Sequence, residues 1–334
     1  MDVVVSFIIL IIFLVVLNQA SHLTITNAVR VSDVTGLGKT TVGFVLIAFS
    51  TSLPELSVSF IAAFGGEAAI SVGNVIGSNI VNICLIIGLA AVLVGLRRSN
   101  SVSVIPTLAK EELGSLYFGL FVASIIPLSL IYLVYASWFV GFILLSVFGA
   151  YLYLLFKMRV PSEQSGNISD EMRRKLRLYS ALTFAGVAGV VASSYFIVDS
   201  ASAIAEFAGV PKSLIGATII AIGTSLPEFS TSIRSFLTGH SALALGNIVG
   251  SCFINITLIL GVTLVAPALV GTPLSVNMVV FSDLVIFSLI ANLFLWYFFS
   301  TGRLGWKEGA ILLFLYVLFL ATTLGIIQVR PQQS

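Results

Sequence analysis

The sequence predicts an all-α integral membrane protein with ten transmembrane helices, and three observations support that prediction. The 334 residues are 58% hydrophobic and only 9% charged, with a mean hydropathy of +1.12, whereas soluble domains contain about 25% charged residues. The apolar residues form long continuous runs, which favour spanning helices over the alternating pattern of a membrane barrel. The lysines and arginines collect on one side of the predicted bundle.

Apolar runs define the ten predicted spans, since a helix needs roughly 20 residues to cross the hydrocarbon. No basic segment precedes the first run and no small-residue cleavage site follows it, so we interpret it as a mature helix rather than a signal peptide. The predicted spans are 3–20, 37–64, 69–96, 114–134, 137–157, 178–205, 210–237, 242–269, 279–299 and 307–327.

The distribution of basic residues predicts the orientation of this bundle. Fourteen of the 16 Lys and Arg residues lie on or next to the side reached by odd-numbered connections, and only Lys212 and Arg330 fall on the other. Basic loops stay in the cytoplasm. We therefore expect both termini to be extracellular, in the cell membrane, and the polar segment 158–177 to form a cytoplasmic linker.

A segment of the first half recurs in the second. Residues 43–88 align with 216–261 without a gap, with 21 identities in 46 positions that include Pro, Glu, Asn and Ser. Five spans separate equivalent points, so the second copy enters the membrane from the opposite face. This predicts two inverted-topology five-helix repeats, 1–157 and 178–334. Secondary transporters are typically built this way, with the substrate site near the midplane.

Each repeat carries the sequence motif TSLPE in the middle of a predicted span. Pro54 and Pro227 have no N–H and clash with the carbonyl four residues earlier. We therefore expect broken helices, over residues 49–54 in the second span and around 221–224 in the seventh. Released carbonyls at membrane depth are tolerated where they line a cavity or bind a cation.

Two glutamates, Glu55 and Glu228, follow these breaks at about the middle of their spans. An acid at that depth costs roughly 3 kcal/mol on insertion scales. No Lys or Arg lies near the middle of any span. The compensating partner must therefore be a proton or a bound metal ion.

The third and eighth spans add polar side chains at four-residue spacing, which places them on one helix face. Glycines alongside them allow close helix contact. The resulting lining is all oxygen, which suits hard cations such as Ca²⁺ rather than zinc or copper. Two carboxylates balance one Ca²⁺ or two monovalent ions, so the occupants exclude one another. The polar sets are Asn74, Ser78 and Asn82, and Asn247, Ser251 and Asn255.

These motifs resemble a known family. TSLPE followed by SVGNVIGSNIVN, and GTSLPE followed by ALGNIVGSCFIN, are similar to the paired alpha-repeats of the sodium/calcium exchanger family, within the cation/calcium antiporter superfamily. The motifs cover 43–88 and 216–261, and the ten-span plan extends the resemblance over essentially the whole chain. Because the linker is short and lacks the large regulatory insert of animal members, we expect a compact prokaryotic type.

The resemblance implies a cluster of cation sites and transport by alternating access, with the first and sixth helices sliding across the core. It implies that Glu55 and Glu228 bind Ca²⁺, and that they share in Na⁺ binding. The other residues it implicates as ligands or lining are Thr51, Thr224, Ser52, Ser225, Ser78, Ser251, Asn82, Asn255, Ala48 and Ala221. Asn255 stands where some members carry Asp, which argues against the potassium-dependent subgroup, and Ser50 stands where Gly often precedes TSLPE.

The predicted function is Na⁺/Ca²⁺ antiport, and a Ca²⁺/H⁺ antiporter is the alternative, because burial favours the neutral form of a carboxyl group. A passive cation channel would use the same oxygens but would not require an inverted repeat. An intramembrane hydrolase has no H-E-x-x-H motif to support it. We expect no enzyme activity, no cofactor besides the transported ions, no nucleic-acid partner, and a functional monomer in the lipid bilayer.

Overall fold

The computed structural model describes residues 3–35, 51–97, 110–157, 170–239 and 241–324. Three residues named above, Ala48, Ser50 and Arg330, lie outside these ranges. So does most of the predicted linker, at 158–169.

Helices make up nearly all of the described chain, and three of them contain π-helical segments. The α-helices are α1 Val3–Thr35, α2 Leu53–Phe64, α3 Ala68–Ile80, α4 Gly88–Arg97, α5 Lys110–Leu133, α6 Trp138–Lys157, α7 Asp170–Ala208, α8 Lys212–Ile215, α9 Ala221–Thr224, α10 Leu226–Leu237, α11 Ser241–Ile254, α12 Leu260–Leu269, α13 Ser282–Thr301 and α14 Trp306–Thr323. The π segments are Val81–Ile87, Gly216–Ile220 and Asn255–Ile259, and a 3-10 turn covers Met278–Phe281.

The prediction of an all-helical membrane fold is confirmed. In the described residues, seven helices are long and apolar enough to cross a membrane, and a bent pair of helices, Lys212–Thr224 with Leu226–Leu237, makes an eighth. Two more predicted spans contain shorter apolar helices, Leu53–Phe64 and Trp138–Tyr153. The residues that would begin the first of these spans lie outside the described ranges.

Two helices extend beyond their predicted spans. Helix α7 begins at Asp170, inside the predicted linker, because the sequence DEMRRKLR consists mostly of good helix formers. Helix α1 continues to Thr35, since no Gly or Pro interrupts the chain before Gly36. Apolar run length therefore predicts the apolar part of each helix, while the polar continuation depends on local propensity.

A small antiparallel sheet was not predicted. Strand β1, Tyr135–Ser137, pairs with β2, Ser275–Asn277, and Ala136 lies opposite Val276. The strands follow α5 and α12, so the sheet ties together two helix ends that are far apart in the sequence. Three-residue strands carry too little alternation for a sequence pattern to reveal them.

The two long helical units that contain π segments lie at the centre of the molecule. In the candidate spans Ala68–Leu96 and Leu243–Leu269, 72% and 83% of the most apolar window is buried, against 22% in α1 and 33% in α7. The pair α1 and α7 packs together at the side, where Phe13 stacks on Phe196 with ring centroids 4.3 Å apart. With α2 and residues near α8, this pair forms a hydrophobic cluster separate from the main core.

Glycines let α3 approach the helix that follows α8. A methyl group on Gly77 would lie 2.5 Å from the Cα atom of Ala217, and one on Gly216 would lie 2.5 Å from the carbonyl oxygen of Ile70. Both contacts are with backbone, which cannot move aside. The close approach predicted for the glycines of the third span is therefore present at Gly77.

We expect Gly77→Ala to destabilise the protein by about 1–3 kcal/mol, the usual cost of overpacking a tight contact. The measurement is thermal unfolding of the purified protein in detergent. Gly149→Ala is the matched control, because a methyl group at Gly149 meets no atom within 4 Å. Equal melting temperatures for the two variants would contradict the close-packing assignment.

Candidate functional site

The seventh span breaks at the TSLPE motif, one residue after the predicted range, because residues 221–224 remain helical. Helix α9 ends at Thr224 and α10 begins at Leu226, and the two segments meet at an angle of 49°. Ser225 lies between them with φ −80° and ψ 9°. In the first copy Ser52 has nearly the same angles, φ −83° and ψ 8°, just before α2. The two TSLPE motifs therefore adopt one local conformation.

π-helical segments flank the site in three helical units. Asn82 lies in the segment Val81–Ile87, and Asn255 begins the segment Asn255–Ile259. The third segment, Gly216–Ile220, leads directly into α9. Such segments change the direction of side chains along a helix and are frequent at functional sites. The direction in which successive side chains point therefore changes at Asn82 and Asn255, two of the predicted site residues.

The two glutamates are fully buried and each accepts a hydrogen bond from the opposite motif. Ser225 Oγ donates to Glu55 Oε1 at 3.0 Å, and Ser52 Oγ donates to Glu228 Oε1 at 3.2 Å. The exchange of serine donors brings both copies of the motif to one place.

A second exchange links each TSLPE motif to the polar side chains that follow the other copy of the motif. We call these sets the polar stripes: Asn74, Ser78 and Asn82 in the first copy, and Asn247, Ser251 and Asn255 in the second. Thr51 Oγ1 donates to Asn247 Oδ1 at 3.3 Å, and Thr224 Oγ1 donates to Asn74 Oδ1 at 3.1 Å. All four side chains are buried. These bonds relate the same positions at the same offset of 173 residues as the sequence alignment does.

Two serines that the sequence analysis gave no role complete this pattern. The amide of Asn74 donates to Ser59 Oγ at 3.3 Å, and the amide of Asn247 donates to Ser232 Oγ at 3.2 Å. Ser59 and Ser232 are themselves identical in the aligned copies, and that identity was the signal that marked them.

The hydroxyls of the two stripes behave differently. Ser251 Oγ donates to Glu228 Oε1 at 3.2 Å, lies 3.0 Å from Ser52 Oγ, and accepts from Asn82 Nδ2 at 3.3 Å. Its counterpart Ser78 is equally buried, yet its hydroxyl has no hydrogen-bond partner among the described residues. The two copies supply the same side chains but do not use them identically.

Several buried oxygens of the predicted site have no hydrogen-bond partner within the described residues. Burying such an atom without a partner costs about 1–3 kcal/mol, and a bound cation would remove that cost at these oxygens. Each belongs to a different residue that the sequence analysis had singled out. They are Glu55 Oε2, Glu228 Oε2, Ser78 Oγ, Asn82 Oδ1 and Asn255 Oδ1.

The carbonyl of Ala221 was expected to be released by the helix break, but it is hydrogen-bonded. It accepts from the Ser225 amide at 3.1 Å and from Thr224 Oγ1 at 3.4 Å, so the proline does not release this oxygen. Pro227 instead removes the donor that would bond to the carbonyl of Gly223, four residues earlier. The first-copy counterpart, Ala48, lies outside the described residues.

Comparison with known proteins places this geometry in a family. Residues 5–157 and 178–325 match the family model described as sodium/calcium exchanger protein. The sodium/calcium exchanger MaX1 of Methanosarcina acetivorans is 31% identical and covers 95% of this chain and 98% of its own length. The putative antiporter CaxA of Alkalimonas amylolytica is 36% identical over 69% of this chain and 71% of its own.

The fold agrees with this result. A crystal structure of the sodium–calcium exchanger NCX_Mj superposes with a TM-score of 0.63 at 25% identity, covering 96% of this chain and 99% of that one. The resemblance inferred from the motifs is confirmed by these matches. The chain therefore belongs to the sodium/calcium exchanger family, as a member of the prokaryotic type.

Proposed function

We propose that this protein is a secondary active antiporter that exchanges Na⁺ for Ca²⁺ across the cell membrane by alternating access. The observation that carries the proposal is the group of buried oxygens without partners around Glu55 and Glu228. Family membership supports cation/calcium antiport in general. The names of the relatives MaX1 and NCX_Mj supply the pair of ions.

The two carboxyl groups give the site its exchange chemistry. Both are fully buried, and among the described residues neither pairs with a Lys or Arg. A bound Ca²⁺ balances the two negative charges, and so do two Na⁺ ions. Ca²⁺ accepts six to eight oxygens in flexible geometry. Because both occupants need Glu55 and Glu228, binding of one ion excludes the other, and this exclusion couples the two fluxes.

The proposed ligands come from both copies of the motif. Carboxylate, hydroxyl, amide and backbone oxygens are all hard donors that suit these ions. Ser52 and Ser225 hold the carboxyls from the opposite motif. The remaining proposed ligands are Thr51, Thr224, Ser78, Ser251, Asn82, Asn255, Ala221 and, outside the described residues, Ala48.

The reciprocal hydrogen bonds support two inverted five-helix repeats, 1–157 and 178–334, and hence ten spans. In such a fold the site lies between the repeats, and access alternates when one bundle moves against the other. The separate cluster formed by α1 and α7 is suited to this movement, because most of their surface is not packed against the core. We propose that a monomer suffices.

A Ca²⁺/H⁺ antiporter is the second candidate. One observation favours it: the two buried carboxyls lie without a basic partner among the described residues, so each is able to carry a proton in place of Na⁺. The relative CaxA, a putative antiporter, leaves this choice open. Both candidates are transporters with no catalytic step, and neither needs a cofactor.

Ca²⁺ uptake into Na⁺-loaded proteoliposomes tests the coupling ion. We expect uptake to require an outward Na⁺ gradient, and Glu55→Gln and Glu228→Gln each to abolish it, because one remaining carboxylate cannot balance Ca²⁺. Glu206→Gln is the control, since Glu206 is 70% exposed and pairs only peripherally with Lys212. Uptake driven by a pH gradient without Na⁺ would instead establish the proton antiporter.

Replacing the two stripe serines should separate ligand binding from stability. Ser78→Ala should weaken Ca²⁺ binding by about tenfold, the effect of losing roughly 1.4 kcal/mol, without lowering the melting temperature of the ion-free protein. Ser251→Ala should lower that temperature as well, because it removes a bond to Glu228. Binding of radiolabelled Ca²⁺ and thermal unfolding measure the two effects. Equal destabilisation by both variants would contradict this distinction.

The proposed orientation is tested by thiol labelling in intact cells. The native cysteines, Cys84 and Cys252, are buried. Ser275→Cys lies on the exposed edge of β2 and should react with a membrane-impermeant reagent from outside. Arg303→Cys, in the connection between α13 and α14, should react only after permeabilisation. The opposite labelling pattern would reverse the predicted topology.

A further inference from the structure

We propose that Asn79 is a positioning residue that determines which atom of Asn255 faces the cation site. The proposal rests on the proposed function, because it concerns the same site. Asn79 is fully buried near the end of α3, one residue after Ser78. The repeat alignment does not single out Asn79, because the aligned residue in the second copy is Cys252.

The orientation of the Asn79 amide is fixed by a backbone group. Its Nδ2 atom lies 3.4 Å from the carbonyl oxygen of Cys252, and a carbonyl oxygen only accepts hydrogen bonds. Asn79 must therefore present its NH₂ group to Cys252. Its Oδ1 atom is left on the other side, where it accepts from Asn255 Nδ2 at 2.9 Å.

This second bond fixes Asn255 in turn. Because Asn79 offers only an oxygen, Asn255 must present its NH₂ group to it, and its own Oδ1 atom points away. That oxygen is buried and has no hydrogen-bond partner among the described residues. A flipped Asn255 would place two N–H donors there, which repel a cation. Asn79 therefore keeps the Oδ1 atom of Asn255, and not its NH₂ group, facing the proposed cation site, without touching the ion itself.

Asn82, the counterpart of Asn255, is oriented by a different route. Glu228 accepts from Ser251, and Ser251 in turn accepts from Asn82 Nδ2. The Oδ1 atom of Asn82 is thereby left without a partner. In both cases a group that accepts hydrogen bonds starts a chain that ends with an amide oxygen available to the cation.

The equivalent chain through Glu55, Ser78 and Asn255 does not form, since the Ser78 hydroxyl has no partner in the described residues. Asn79 takes the place of Ser78 as the acceptor for Asn255. The consequence is that Ser78 keeps its hydroxyl oxygen for the ion. Because Asn79 has Cys252 as its counterpart, the two halves of the site differ: the Ser78 hydroxyl has no partner among the described residues, whereas the Ser251 hydroxyl is bonded to Asn82 and Glu228.

Equilibrium binding of radiolabelled Ca²⁺ to the purified full-length protein tests the proposal. Asn79→Leu removes the acceptor, so Asn255 is free to turn its NH₂ group inward, and the apparent Kd should rise about tenfold, equivalent to some 1.4 kcal/mol. In an Asn255→Asp background the side chain has no NH₂ group to donate to Asn79 or to turn inward, so the orienting hydrogen bond is already absent. There the same substitution should raise the Kd less than about twofold, a non-additivity that simple loss of packing would not produce.

Ser71→Ala is the matched control. It removes another buried bond, to Thr263 at 2.7 Å, between the same two helical units but outside the site, and should leave the Kd within about twofold. If Asn79→Leu does not elute as a single species, Asn79→Ala replaces it. An equal rise in both backgrounds, or no rise, would overturn the role of Asn79. Intact Ca²⁺ binding with no Na⁺-driven uptake would overturn only the coupling ion of the proposed function.

Discussion

The burial of two carboxyl groups in an apolar medium is the constraint on which the rest of this structure depends. Glu55 and Glu228 are fully buried, and each accepts a hydrogen bond from the motif that carries the other. Charges in such surroundings must be paired and hydrogen-bonded to be tolerated. The protein supplies neutral donors, one serine from each opposite motif, and leaves the balancing charge to an ion. The proposed exchange depends on this arrangement, because among the described residues no Lys or Arg neutralises the two carboxyls.

Helix irregularities bring these groups together. A proline break and a π segment each change the direction of a helix, and glycine at Gly77 lets α3 lie against the backbone at Ala217. The central helices are therefore packed backbone to backbone, which fixes the positions of the proposed ligands. By contrast, α1 and α7 contact their surroundings mainly through apolar side chains in a separate cluster. The proposed alternating access would need both features: a site that stays rigid and side helices that can move against it.

Much of this arrangement could be predicted from the sequence, because residues 43–88 recur at 216–261. Matching Pro, Glu, Asn and Ser at one offset predicted the bend in the seventh span and marked the residues that we propose as ligands. Other features depend on contacts that no repeat reveals. Asn79 was missed because its counterpart is Cys252, and the crossing of Ser52 to Glu228 requires the three-dimensional fold. The sheet at Ala136 is too short to give a pattern. The carbonyl of Ala221 keeps its helical bond because the chain turns one residue later than a simple break would imply.

The central claim is that one shared pair of carboxyls holds either ion, and calorimetric titration of the purified protein tests it most directly. Ca²⁺ titrated into Na⁺-free protein should bind with one high-affinity site per chain. Added Na⁺ should raise the apparent Kd for Ca²⁺ without lowering the stoichiometry, with a dependence steeper than first order, since two Na⁺ ions replace one Ca²⁺. Ca²⁺ binding that Na⁺ leaves unchanged would contradict a shared site.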